Sequence, residues 1–352
     1  MPMFLASASA FAADDWRQDY EAVEVADGIV AYVAGESPGG VVQGNVVAIS
    51  GDTATLLVDS GQYVDLARRI AADIERRGLP PVRHLVNTHW HGDHLLANFV
   101  FREAFPGVEV VQHTETARAG KREYAEWTTK NIPELRVYPE RLEKAAGTGV
   151  TSRGVALDDE QRENFRVDAR LIRQWIATSA DTRWDPPDRT IDRDTVLDLG
   201  GRKVELRFFG PANTTGDLAL WDPRTRTLVT GDIVVAPTPY SFGSYHSEWI
   251  GVLDALRALK PARIVPGHGP VMDDDGYLLE LAALLAATRA EVRKAIAAGR
   301  TLEQMQKEIA LAEYQALFAG DDQDRARAFR AFYLAPAIGQ AYKEAKGEPR
   351  SE

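Results

Sequence analysis

The chain has 352 residues, 45% hydrophobic and 26% charged, which is the profile of a folded globular protein with room for one large core or two ordinary ones. Its net charge of -11 argues against a nucleic-acid partner, because that affinity depends on Lys and Arg neutralising phosphates, and no run is apolar enough to span a bilayer. With no cysteine there are no disulfides, thiolate ligands or cysteine nucleophile.

The first dozen residues are apolar and Ala/Ser-rich, and Ala10-Phe11-Ala12 has the small-x-small form of a signal-peptidase site. Residues 1–13 are therefore expected to be a secretory signal or a loose terminus, with a periplasmic or secreted location following from the first reading. From Tyr20 to Asp59 the pattern predicts four strands, broken by Asp27-Gly28, a Gly/Pro loop over Gly35 to Gly44, and Gly51-Asp52. That loop is either a flap over a site or a plain hairpin connection. Tyr63 to Arg77 reads as an amphipathic helix closed by Gly78 and Pro80.

A short strand, Leu85-Val86, then leads into Asn87-Thr88-His89-Trp90-His91-Gly92-Asp93-His94. Residues two apart in extended backbone point the same way, so His89 and His91 can reach one ion together. Gly92 permits a sharp turn that frees Asp93 and His94 to face a neighbouring point. The competing reading makes Asp93 a helix cap and the histidines solvated loop residues. Four ligand-type side chains in one turn favour the metal. His84 and His113 match no such spacing and are expected to be structural.

A helix to about Phe105 and a strand over Val108 to Gln112 continue a βαβ alternation, so the fold class is α/β. Residues 115–187 are charged and read as three helices, over Ala117 to Lys130, Pro133 to Ala146 and Asp158 to Ala180, carrying Tyr124, Trp127, Trp175 and Trp184. They form either a cap over a site or a decoration on one edge. Strands follow over Thr190 to Leu199 and Lys203 to Phe209, joined by a Gly200-Gly201 turn. The loop Gly210 to Asp217 leads to a hairpin whose second strand ends in Gly231-Asp232. Beyond an aromatic loop with Tyr240, Phe242 and Tyr245, a helix from Trp249 to Lys260 precedes a strand ending at Pro266-Gly267-His268-Gly269. Leu57-Val58-Asp59 and Leu85-Val86 echo Leu228-Val229-Thr230-Gly231-Asp232 and Ile264-Val265. Two such halves would deliver ligands from strand ends into one crevice. Residues 273–352 read as helices, with packing or dimerisation into a homo-oligomer as the default role.

Taken together, Thr88 to His94, Thr214-Thr215-Gly216-Asp217, Thr230-Gly231-Asp232 and Pro266-Gly267-His268-Gly269 resemble the metallo-β-lactamase-fold hydrolase superfamily over about residues 20–272. The resemblance implies an αββα sandwich, here with a helical insertion and a C-terminal helical extension, and a dinuclear metal site that is usually zinc. His89 and His91 resemble ligands of the first ion. Asp93, His94 and His268 resemble those of the second, Asp232 a bridging carboxylate, and Asp59 a carboxylate that orients a ligand. Asn213 stands where the family has its third first-site histidine. Its amide suits Zn²⁺ poorly, so that site is expected to be weakened. His246 is a conceivable substitute, though isolation favours a surface position.

The chemistry implied is hydrolysis of a small-molecule substrate with one or two zinc ions, by a water made acidic through metal binding. Asp93 would orient that water or carry its proton, and Tyr240 or Tyr245 would stabilise an oxyanion. An aspartate at position 232 resembles thioesterases, lactonases and phosphodiesterases more than true β-lactamases, and the aromatic loop favours a small apolar ester, lactone, thioester or amide. The alternatives are β-lactam hydrolysis, a degenerate metal-binding member with little catalysis, and an iron oxidoreductase on the same scaffold.

Overall fold

The structure is a computed structural model and describes residues 19–35, 42–126, 132–152, 154–179 and 182–348. The N-terminal segment 1–13, the tip of the Gly35 to Gly44 loop and Trp127 lie outside the described residues.

Strands β1 (Tyr20–Ala26), β2 (Ile29–Ala34), β3 (Val46–Ser50) and β4 (Thr55–Val58) form an antiparallel meander. Helix α1 (Val64–Arg76) then carries the chain to β5 (Val82–Val86), which lies parallel to β4. Two short helices, α2 (Gly92–Leu95) and α3 (Asn98–Ala104), precede β6 (Glu109–His113), also parallel. The insertion supplies α4 (Thr114–Glu126), α5 (Ile132–Thr148) and α6 (Asp159–Ser179). Next come β7 (Arg189–Ile191), β8 (Thr195–Asp198), β9 (Lys203–Arg207), β10 (Ala219–Asp222), β11 (Thr227–Val235), α7 (His246–Ala258) and β12 (Arg263–His268). The extension contains α8 (Gly276–Ala297), α9 (Leu302–Glu308), α10 (Ala312–Ala319), α11 (Gln323–Ala328), a π-helical segment Phe329–Leu334 and α12 (Ala335–Lys346).

Seven strands in the order β1-β2-β3-β4-β5-β6-β7 make one sheet, and five in the order β12-β11-β10-β9-β8 make the other. The layering follows from the period of two along each strand. On β3, Val47 and Ile49 pack into the core between the sheets, while Val46 and Ala48 face the outer core. On β11 and β12 the same division puts Val229 and Val265 between the sheets, and Leu228 and Ile264 against α7 and α8. Each sheet is thus buried on both faces, and the architecture is an αββα sandwich. Leu142, Ala169, Ile172 and Trp175 of the insertion belong to the same outer core as Phe99 and Phe101, so the insertion is packed into the body of the protein.

Two of the parallel pairs, β4 with β5 and β11 with β12, are each joined through a helix, which realises the internal echo in the sequence. At the start of β4 the sheets are fastened by Arg202. Its buried guanidinium donates to the carbonyls of Gly28 and Ser50 at 3.1 and 2.7 Å and to that of Asp27.

Three expectations are corrected. Thr190 to Leu199 is not one strand, since Asp192 to Asp194 carry the chain from β7 in one sheet to β8 in the other. Asp194 there accepts the Phe208 N–H at 3.0 Å. The helix after the histidines is broken at Leu96-Ala97, because the His94 carbonyl already accepts from Ser60 N–H and Asn87 Nδ2 at 2.8 and 3.0 Å. That carbonyl would otherwise have served the helical N–H of Asn98. The strand carrying Asp232 runs on to Val235, which pairs with His268.

Candidate metal centre

The early motif leaves β5 and turns back beneath the ends of β4 and β12. Asp59 directs that turn. It has a left-handed φ of 60°, a strain of about 1 kcal/mol that Asp tolerates better than most residues. In return its carboxylate accepts from Thr88 N–H at 2.7 Å and Thr88 Oγ1 at 2.8 Å, and lies 2.8 Å from His94 Nδ1. With Nδ1 so engaged, His94 presents Nε2 to the centre. Behind it, Asn87, Asn98 and Gln112 exchange buried amide hydrogen bonds of 2.8 to 3.0 Å that fix the turn.

From the other sheet come Asp232 and His268. Asn45 sets the second of these, donating from Nδ2 to the carbonyls of Pro266 and Gly269 at 2.9 Å each. Glycine is required where backbone and ligands crowd. A Cβ on Gly267 would lie 2.1 Å from Asp232 Oδ1, and one on Gly44 2.5 Å from His94 Cε1.

Two groups of potential ligands result, His89–His91–Asp232 and Asp93–His94–His268, with the ligand atoms of each within 4.8 Å of one another. Asp232 touches both. Its Oδ2 is 3.4 Å from His89 Nε2 and 3.6 Å from His91 Nδ1, and its Oδ1 is 3.1 Å from His94 Nε2 and 3.4 Å from His268 Nε2. Asp93 Oδ2 lies 3.0 Å from His268 Nε2 and 3.6 Å from His94 Nε2. His89 and His94 are fully buried and Asp93 makes no helix cap, which excludes the solvated-loop reading.

The donor set fits a cation. His89 Nε2 and Asp232 Oδ1 are buried without a hydrogen-bond partner, and two imidazole nitrogens, His94 Nε2 and His268 Nε2, face each other at 3.1 Å. Burial pushes His89 down to about 4, so it is neutral at pH 7 with a lone pair to offer. Burial alone would lower His94 too, but Asp232, Asp93 and Asp59 together hold it well above the ordinary range. Against burial, the histidines hold Asp93 at about 2 and Asp232 well below its usual value. So many buried carboxylates need a positive charge among them, and a divalent ion meets that need better than a proton.

Asn213 is buried with neither amide atom hydrogen-bonded. Its loop is tied to the early motif by the Leu218 N–H, which donates to the Thr88 carbonyl at 2.8 Å. Burial pushes Asp217 up to about 7 despite the donors it accepts from. These are Thr214 N–H and Oγ1 and Ala212 N–H, so Asp217 braces the loop. His246 is not a surface residue. It is buried at the start of α7 with Nε2 3.0 Å from Ser241 Oγ, and belongs to neither ligand group. His84 lies 3.0 Å from Glu109, and His113 stacks on Phe208 at 4.3 Å, both as structural residues.

Asp93, His91, Asp232 and His268 open into a cavity of about 710 Å³. Tyr240 and Phe242 of the aromatic loop line it. Tyr245 is not among the lining residues. It sits ahead of α7, where its backbone N–H donates to the Ala212 carbonyl at 2.9 Å. Most of the wall was not foreseen, namely Trp90, Leu95 and Leu96 beside the motif, Leu135 and Tyr138 on α5, and Phe332 in the extension. Only Trp90, lodged between two ligands, carried a signal in the sequence. The insertion covers the cleft, and the extension, expected to carry no chemistry, reaches it.

The Asp59 contacts lead to a direct expectation. Asp59→Asn should weaken metal binding by about 10- to 100-fold, the usual cost of losing a carboxylate behind a ligating imidazole. Competition against a chromogenic chelator measures it, and unchanged affinity would remove Asp59 from the site.

Comparison with known proteins agrees with this geometry. Residues 39–268 match the metallo-beta-lactamase superfamily. A linear primary-alkylsulfatase of Pseudomonas sp. (strain ATCC 19151) is 26% identical over 225 residues, covering 61% of this chain and 39% of that protein. A beta-lactamase-like protein 2 homolog of Caenorhabditis elegans is 22% identical over 260 residues, covering 72% of this chain and 65% of that one. The chain therefore spans less than two thirds of either relative. Among solved structures, a metallo-beta-lactamase from Pontibacter korlensis superposes with a TM-score of 0.53 at 19% identity, over 76% of this chain and 99% of that one. The DIM-1 metallo-beta-lactamase gives 0.52 at 14%, over 76% and 98%. Family match, layered fold and converging ligands coincide, and the chain belongs to the metallo-beta-lactamase superfamily of hydrolases.

Proposed function

We propose that the protein is a zinc-dependent hydrolase of an ester, lactone, thioester or amide with an apolar body. The observation that carries this reading is Asp232, which stands within reach of both ligand groups at the floor of an apolar cavity. His89, His91 and Asp232 would hold one ion, with Asn213 as a weak further donor. Asp93, His94, His268 and Asp232 would hold the other. When bound, the ions supply Lewis-acid polarisation and a water that ionises near pH 7.

The residues of the chain do the rest. Asp93 lies on the cavity surface, ionised and braced by His268, where its carboxylate can accept a water proton and return it to the leaving atom. Tyr240, its ring centroid 6.0 Å from that of His268, flanks the same surface and would donate to a developing oxyanion. Trp90, Leu95 and Leu96 exclude water around the substrate.

A second reading, hydrolysis of an alkyl sulfate ester, is favoured by the 26% identity to a linear primary-alkylsulfatase together with the apolar wall. A substrate panel separates the two. Metal-replete protein is expected to turn over p-nitrophenyl esters, lactones or thioesters, to stop on chelation and to recover with zinc. Faster turnover of dodecyl sulfate or nitrocefin would replace the acyl reading with the sulfatase or β-lactamase one. Silence across the panel with metal bound would indicate a non-catalytic member.

A further inference from the structure

We infer that the C-terminal extension is a working wall of the substrate cavity, and that the substrate carries a linear apolar chain lodged against Phe332. For its kinetic arm this rests on the hydrolase reading above. The π-helical segment Phe329–Leu334 is the device. Its wider turn buries Phe329, Tyr333 and Leu334 together in the outer core while leaving Phe332 half-buried in the cavity wall. An insertion of this kind inside a helix commonly marks a functional site.

Hydrogen bonds join this segment and the following α12 to the aromatic loop. Ser241 N–H donates to the Phe332 carbonyl at 2.9 Å, and Gln340 Nε2 to the Phe242 carbonyl at 2.7 Å. The rings of Tyr240, Phe242 and Phe332 then lie 5.6 to 6.1 Å apart, and Tyr240 reaches His268. An aromatic path therefore leads from a metal-ligand imidazole to the extension. The extension is also fastened to the insertion, through Asn164 with Asp324 and the Arg327 guanidinium 5.3 Å from the Phe165 ring. Both elements contribute apolar residues to one cavity, and two side chains of its lining carry exposed apolar surface, Tyr138 of the insertion at 38% and Phe242 of the aromatic loop at 50%. Large apolar side chains left uncovered inside a cleft of ligand size are what an alkyl chain would cover.

The test compares p-nitrophenyl acetate, butyrate, octanoate and dodecanoate, and separately measures binding of decan-1-ol by calorimetry. In the parent, kcat/KM should rise with chain length, by up to roughly 4-fold per buried methylene. Phe332→Ala should flatten that rise and weaken decan-1-ol about 10-fold, whereas Phe332→Trp should move the optimum to a shorter chain. Leu317→Ala, at an exposed position of α10, should behave as the parent. Decan-1-ol binding that depends on Phe332 without ester turnover would uphold this inference while defeating the acyl-hydrolase reading. Chain-length profiles and alcohol affinity that are the same in the parent and both Phe332 variants would overturn it, as would absence of alcohol binding in the parent.

Discussion

Asp232→Ala should lower kcat/KM by about 10³-fold or more and strip the protein of most of its metal. The size follows from the position. Among the described residues, Asp232 is the one side chain that approaches His89 and His91 with one oxygen and His94 and His268 with the other, so a single truncation takes a ligand from both groups. Four imidazole rings would be left converging with one fewer buried negative charge among them. Elemental analysis and steady-state kinetics on the best ester measure the two effects, with Asp254→Ala, at an exposed position on α7, as control. Two tightly held ions in Asp232→Ala would refute the shared-ligand geometry. Activity within 10-fold of the parent would refute the catalytic role.

The second large effect concerns Asn213. The purified protein should bind fewer than two equivalents of zinc, and Asn213→His should bring the count towards two. The gain in first-ion affinity should exceed the 10- to 100-fold that an outer carboxylate supplies. The amide is buried, neither of its polar atoms has a hydrogen-bond partner, and its loop is braced by Asp217 and tied to Thr88. An imidazole there would place a nitrogen donor that Zn²⁺ prefers over an amide oxygen. Titration calorimetry with zinc, paired with elemental analysis, reads the change. Two tight ions already in the parent would show that Asn213 does not weaken the site.

What the sequence disclosed and what it hid divide along physical lines. His89, His91, Asp93 and His94 were readable because their chemistry is local, a strand end and a turn that bring ligand-type residues together within one stretch. For Asp232 and His268 the echo between the two halves suggested only a shared crevice, and the resemblance was needed to give them ligand roles, since no local pattern says what strand ends from different sheets will hold. The apolar run around Val46 to Ile49 marked a strand, which the structure buries on both faces, and the helical spans of the insertion were close to those observed. The break after Leu95 was hidden because it depends on which groups claim the His94 carbonyl, a tertiary matter. His246 was misjudged for the same reason, as burial at a helix start under the aromatic loop leaves no mark on its neighbours in sequence. Phe332 looked like any core residue of a terminal helix. Its role comes from one π-helical step and from partners about 90 residues earlier in the chain.

The guanidinium of Arg202 has a bearing on how the sandwich opens. It locks the layers at the beginning of β4 through carbonyl partners, with the buried Asp222 carboxylate 3.9 Å from its Nε, and this lock draws on no side chain of the metal centre. At the far end of the same strand the layers meet through acidic side chains and imidazoles, whose mutual tolerance depends on an added charge. The molecule is thus hinged at one end and latched at the other. Ion loss should release the latch as a local fluctuation around the cleft, with the remainder of the fold kept closed.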